Sequence, residues 1–446
     1  MAESYDLIVK GGNAMTPMGL IEADIAVKDG RIAAIGRIDR PAAETFDAKG
    51  LHVLPGVIDS QVHFREPGLT HKEDLATGTA AAALGGVTAV FEMPNTKPNT
   101  TTAEALAEKL ALAEGRAWCD VAFFVGATAE NAAELGRLER LPGAAGIKIF
   151  MGSSTGNLLV EDDDTLLAAL RNGTRRVAVH AEDEYRLRER MALAKEGGEK
   201  GVDPSLHPVW RDVETAVRAT TRLMGLAREA GRRVHVLHVT TAEEVPILAA
   251  NKDTATMEVT PQHLTLAAPD CYRELGTFAQ MNPPIREARH REALWQAVRD
   301  GIVDCIGSDH APHTREEKAK PYPQSPSGMP GVQTLLPLML DHMNAGRLTL
   351  ERLVDLTSAG PARIYNVAAK GRIAVGYDAD LTIVDLGAKR TIEAKAMASK
   401  CGWTPFDGMN VTGWPIATVV RGQVVMREGE LIGRPIGKPV RFAECL

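Results

Sequence analysis

The 446-residue chain has little cysteine: Cys119, Cys271, Cys305, Cys401 and Cys445, none of them in a C-x-x-C pair. That spacing argues against a disulfide framework and a cysteine-built zinc site, and it fits a reducing compartment. The chain also lacks an excess of positive charge. Lys and Arg number 51 against 58 Asp and Glu, a net charge of −7. A general nucleic-acid or anionic-membrane binder would need a basic surface. No apolar stretch approaches the ~20 residues of a membrane span. The opening MAESYDLIVKGG shows no basic region followed by an apolar run, so no signal peptide is expected. The expectation is a cytoplasmic protein with neither a membrane nor a nucleic-acid partner. What is present is ordinary for a globular chain: 44% hydrophobic and 24% charged residues, which exclude disorder and supply a large core.

The two ends are β-rich. Tyr5 to Lys10 reads as a strand, and Asp24 to Val27 and Arg31 to Ile35 flank the hairpin signal Lys28-Asp29-Gly30. Near the other end, Asp380 to Val384 and Ala417 to Val420 are β-rich, and Arg421-Gly422 turns into Gln423 to Met426. The middle alternates short apolar runs with amphipathic stretches. The runs are Val57–Val62, Val87–Met93, Val121–Val125, Gly146–Phe150, Val177–Val179, Val234–Val239, Met257–Thr260 and Val303–Ile306. Helical patterns between them include Thr101–Glu114, Val209–Ala230, Ala242–Asn251 and Glu287–Asp300. Eight such βα units point to a closed (β/α)₈ barrel, whose strands are buried on both faces and read as continuous apolar runs. Residues 55–369 are assigned to the barrel. Residues 1–54 and 370–446 are assigned to a small composite β-sandwich made from both termini.

Polar residues recur where these runs end. His63 follows the first, Lys148 sits in the fourth, His180 ends the fifth, His238 lies near the end of the sixth, and Asp309 ends the eighth. In a barrel all of these positions lie on the C-terminal face, where active sites are built. One histidine there would signify little; the repetition carries the inference. Imidazoles and a carboxylate suit a divalent ion such as zinc. Lys148 has no lone pair as an ammonium. It becomes an anionic oxygen ligand only if CO₂ adds to its neutral amine, which burial favours.

The segments VLPGVIDSQVHFREPG, EMPNT, IKIFMGSSTGN, AVHAEDE, LHVTT and GSDHAPHT resemble the dihydroorotases of the amidohydrolase superfamily. GRIAVGYDADLTIVD and GWTPFDG match the way that family closes its β domain, and the likeness runs from about Asp6 to Gly429. The resemblance implies reversible cyclisation of N-carbamoyl-L-aspartate to L-dihydroorotate in pyrimidine synthesis. It places His63 and Asp309 on the more buried metal, His180 and His238 on a second, and a carboxylated Lys148 between them. Asp309 is also the proton-transferring residue. Arg65 and Asn95 match the holders of the substrate carboxylate, Asn282 in MNPPIR the asparagine facing the ring, and His313 a further contact. Gly331, after Pro330, is matched to backbone contact with the substrate. A homo-oligomer, a dimer, is the expected assembly, with the small cyclic amide as partner.

One position departs from the pattern. The family places His-x-His after the first strand, and here the first of these is Gln61. An amide oxygen is a weaker zinc ligand than imidazole, so one or two zinc ions per chain are both consistent with the sequence. Two other readings stand beside the first. A hydantoinase or allantoinase would act on a ring without a carboxylate, which would leave Arg65 no partner. An impaired paralogue acting as a structural partner of aspartate transcarbamoylase is supported by Gln61 alone. GSSTGN at Gly152–Asn157 has no G-K-[ST] and reads as a loop over the site rather than a phosphate loop. The acidic run Glu161–Asp164 reads as a helix start, and Thr314 to Gly331 as a long loop.

Overall fold

The computed structural model describes residues 4–154, 158–195 and 203–445. Seventeen strands among them form two sheets. Five come first: β1 (Tyr5–Thr16), β2 (Gly19–Lys28), β3 (Arg31–Gly36), β4 (Ala42–Asp47) and β5 (His52–Pro55). Eight follow: β6 (Val57–Val62), β7 (Val87–Glu92), β8 (Asp120–Gly126), β9 (Ala144–Phe150), β10 (Val177–His180), β11 (Val234–Val236), β12 (Ala255–Val259) and β13 (Cys305–Ile306). The last four are β14 (Leu381–Thr391), β15 (Asn410–Val420), β16 (Gln423–Arg427) and β17 (Glu430–Leu431).

Strands β6 to β13 pair in sequence order, all parallel. The His63 N–H donates to the His310 carbonyl at 2.7 Å, and Val62 bridges His310 in parallel, which closes the barrel. Each of the eight apolar runs overlaps one of these strands. Helices lie between them, as parallel crossovers require. The expected helix over Val209–Ala230 is broken into His207–Trp210 and Val213–Ala230. Asp212 causes the break, because its side chain caps the second helix by accepting the Thr215 N–H. Asp162 does the same for the helix Asp163–Arg171, so the acidic run is a helix start.

The strands of both ends form one mixed sheet in the order β17-β16-β15-β14-β5-β1-β2-β3, with β4 also on β1. The join is β5 against β14, with Val53 opposite Ile383. The turns Asp29-Gly30 and Arg421-Gly422 both have two residues at positive φ, the geometry that favours hairpins between twisted strands. Strand β1 runs past Lys10 to Thr16, with a register shift between Val9 and Gly12. The segment after β17 leaves this sheet. The Val440 N–H donates to the Val121 carbonyl at 2.8 Å, and Phe442 packs edge-on against Phe91 with ring centres 5.6 Å apart. It thereby fills the barrel floor beside Tyr365. Among the described residues no helix is long and apolar enough to cross a membrane.

Candidate active site

The C-terminal ends of the barrel strands meet at one small pocket. Gln61, His63, Arg65, Asn95, Lys148, His180, His238, Asn282 and Asp309 all line it, together with Phe150, Ser154 and Ser327. Three of these residues leave their strands at positive φ: Arg65 at 66°, His238 at 36° and Asp309 at 45°. Non-glycine residues pay about 1 kcal/mol or more for that conformation, which clusters at functional sites.

Hydrogen bonding fixes the tautomers. His63 Nδ1 lies 2.8 Å from the Asn95 amide oxygen, so Nδ1–H donates. The lone pair on His63 Nε2 then faces Asp309 Oδ1 at 3.3 Å. His180 Nε2 lies 2.9 Å from Glu182 Oε2 and donates to it. Its Nδ1 lone pair then faces His238 Nε2 at 3.1 Å, while His238 Nδ1 has no partner among the described residues. Burial pushes His63 down to about 4, lowers His180 and holds His238 well below the imidazole range. All three rings are therefore neutral, the form that ligates metal. The His63–Asp309 contact sets an acceptor against an acceptor, the arrangement a cation would resolve, and the His180–His238 contact brings two neutral ring nitrogens to one point. This donor set fits divalent metal.

Lys148 is buried in β9, and its Nζ lies 4.5 Å from the Phe150 ring centre. Burial pushes it down to about 7, against the pull of Asp309 and Glu258. A large fraction of its amine is thus neutral near physiological pH. Gln61 turns its amide N–H toward Asp309 Oδ1 at 3.1 Å, leaving its own buried Oε1 without a partner among the described residues. As oriented, it meets Asp309 as a donor, and its oxygen is the group free for a cation.

Arg65 is buried. Its Nε donates to the Pro312 carbonyl at 3.1 Å, and its Nη1 has no partner among the described residues. Burial lowers it to about 10, so it remains charged. Its neighbour Glu66 pairs instead with Arg116 at 2.9 Å. His313 stands behind Arg65 and does not line the pocket. Asn282 Oδ1 lies 3.0 Å from His207 Nε2. The Gly331 N–H donates to His310 Nδ1 at 3.1 Å, and the residue lines a separate small pocket. Of the loop Gly152–Asn157, residues 155–157 lie outside the described residues.

Several supporting residues escape sequence reasoning. Glu182 accepts from His180 and also from Arg211; burial pushes its carboxyl up, but Arg211 and His180 together outweigh that and hold it at about 2. Its only signal is its place two residues after His180 in AVHAEDE. Deeper in the barrel, His235, Glu258 and Cys305 form a second fully buried donor group that could hold a metal. Glu258 also accepts the His238 backbone N–H at 3.3 Å. Nothing in the sequence marks these three as a group.

Residues 52–425 match the pattern of the Amidohydrolase family. The chain belongs to that family. It is a metal-dependent family of hydrolases, in keeping with the donor set. The chain is 39% identical to the dihydroorotase of Halobacterium salinarum over 440 residues, covering 94% of this chain and 99% of that one. It is 35% identical to the allantoinase of Deinococcus radiodurans, covering 98% and 99%. Among solved structures, the L-hydantoinase (dihydropyrimidinase) from Arthrobacter aurescens superposes with a TM-score of 0.92 at 34% identity, covering 98% and 99%. The matched stretch spans the whole eight-stranded barrel sheet.

Proposed function

We propose that this amidohydrolase is a dihydroorotase, a metal-dependent cyclic amidohydrolase that interconverts N-carbamoyl-L-aspartate and L-dihydroorotate. The observation that carries the reading is Arg65. A buried guanidinium whose Nη1 has no partner among the described residues, at the pocket wall, calls for an anion, and a planar carboxylate matches its fork. Dihydroorotate carries such a carboxylate; hydantoin does not. The names of the relatives divide between cyclic ureides with and without that group, so the pocket chemistry has to choose.

In this reading His63, His180, His238 and Asp309 would hold metal, with Lys148 as a bridging carbamate and Gln61 contributing at most its oxygen. Metal bound there would acidify water and polarise the scissile carbonyl. The remaining work belongs to the chain. Arg65 and Asn95 hold the carboxylate, and Asn282 faces the ring. Asp309 accepts a proton as the ring amide is attacked and returns it to the leaving nitrogen. In the biosynthetic direction it runs the same transfers in reverse. The convergence of all these side chains supports an active enzyme over a purely structural paralogue.

The test is turnover of L-dihydroorotate, hydantoin and allantoin by the same zinc-loaded preparation. Dihydroorotate should be preferred by kcat/KM. Preference for either ring without a carboxylate would overturn the assignment.

A further inference from the structure

Behind Arg65, side chains from two segments of the chain form a short polar chain. Lys72 Nζ lies 3.0 Å from His313 Nδ1 and 3.1 Å from Glu317 Oε1. On the far side of the ring, His313 Nε2 lies 3.0 Å from the Ser327 carbonyl oxygen and 3.4 Å from Arg65 Nη2. His313 is fully buried, and burial holds it well below the imidazole range, hence neutral.

The inventory of donors decides where its one proton sits. An ammonium offers donors and no lone pair, while a neutral imidazole has one donor and one acceptor. Burial lowers Lys72 from the ordinary lysine range and the Glu317 contact pulls the other way; the 3.1 Å ion pair with that carboxylate is the contact of an ammonium. Facing that ammonium, Nδ1 accepts, so the proton resides on Nε2 and goes to the Ser327 carbonyl. Nε2 then has no lone pair for Arg65. The opposite tautomer would set N–H against the Lys72 donors, with Glu317 Oε2 out of reach at 3.7 Å. It would also turn a lone pair toward the Ser327 carbonyl, and that lone pair would capture Arg65 Nη2.

We propose that Lys72 is a positioning residue: by holding His313 as the Nε2–H tautomer, it keeps the Nη edge of Arg65 available to the substrate's carboxylate. This rests on the dihydroorotase reading of Arg65. Lys72 does not itself line the pocket and acts through His313.

The test pairs nitrogen NMR of histidine-labelled protein with kinetics. In substrate-free enzyme, His313 is expected as the Nε2–H tautomer. Lys72→Met should move it toward Nδ1–H and raise KM for dihydroorotate about tenfold, with a smaller change in kcat. Lys72→Arg, which keeps a donor-only cation, should retain the tautomer and restore most of the KM. A wild-type Nδ1–H tautomer overturns the proposal, as does a Met variant with unaltered tautomer or KM. The tautomer is read without substrate, so the wild-type spectrum stands even if dihydroorotate proves not to be turned over.

Discussion

His63 Nε2 and Asp309 Oδ1 face each other at 3.3 Å, although the other nitrogen of His63 has already committed its proton to Asn95. Two acceptors hold this distance comfortably only with a cation or proton between them. Replacing Asp309 by Asn should therefore remove both a metal donor and the proton carrier. Turnover is expected to fall by about 10²–10⁴-fold, with the circular dichroism spectrum unchanged. Near-normal turnover in a metal-loaded Asn variant would refute the role.

Lys148 should carry one CO₂. Native intact-mass measurement near neutral pH is expected to show that addition, lost on acidification or in Lys148→Ala. Only the neutral amine reacts with CO₂, and burial holds Lys148 at about 7. Protonation as pH falls through that value therefore opposes carbamate formation. Activity of enzyme prepared from metal-free, CO₂-depleted protein should recover faster above this pH than below it. An unmodified amine in fully active protein would exclude the bridge.

Arg65→Lys tests the fork rather than the charge. An ammonium cannot make the paired bonds of a guanidinium. The substitution should raise KM for dihydroorotate by about 10–100-fold, or about 1.5–3 kcal/mol. An unchanged KM would mean that the carboxylate binds elsewhere.

Gln61 is placed to donate to Asp309, not to replace an imidazole. Gln61→His should therefore slow metal loss to a chelator, measured as bound zinc per chain over time. Equal or faster loss would show that the present amide already serves the metal as well as a ring does.

The barrel was legible because strands buried on both faces leave continuous apolar runs, as Val57–Val62 does. The site was legible because His63, Lys148, His180, His238 and Asp309 repeat one relation to those runs. Residues whose roles depend on distant partners were not. Lys72 gains meaning only from His313, and Glu182 only from His180 and Arg211. No local pattern encodes such pairings. By sequence Phe442 belongs with the terminal β region, yet it fills the barrel floor against Phe91. A single aromatic after a turn-rich segment carries no periodicity to announce that. Gly331 was expected at the substrate, but its N–H is spent on His310.

The pairing of β5 with β14 also has a consequence for how the chain is made. Pro55 meets Leu381 across that join. During synthesis the whole barrel emerges between them. At about 5–20 residues per second, the interval is on the order of tens of seconds. Throughout it, the side of β5 that will receive β14 is an open edge, and open edges invite pairing with other chains. A ribosome that stalls within the barrel would leave a nascent polypeptide prone to strand exchange with its neighbours on the same message.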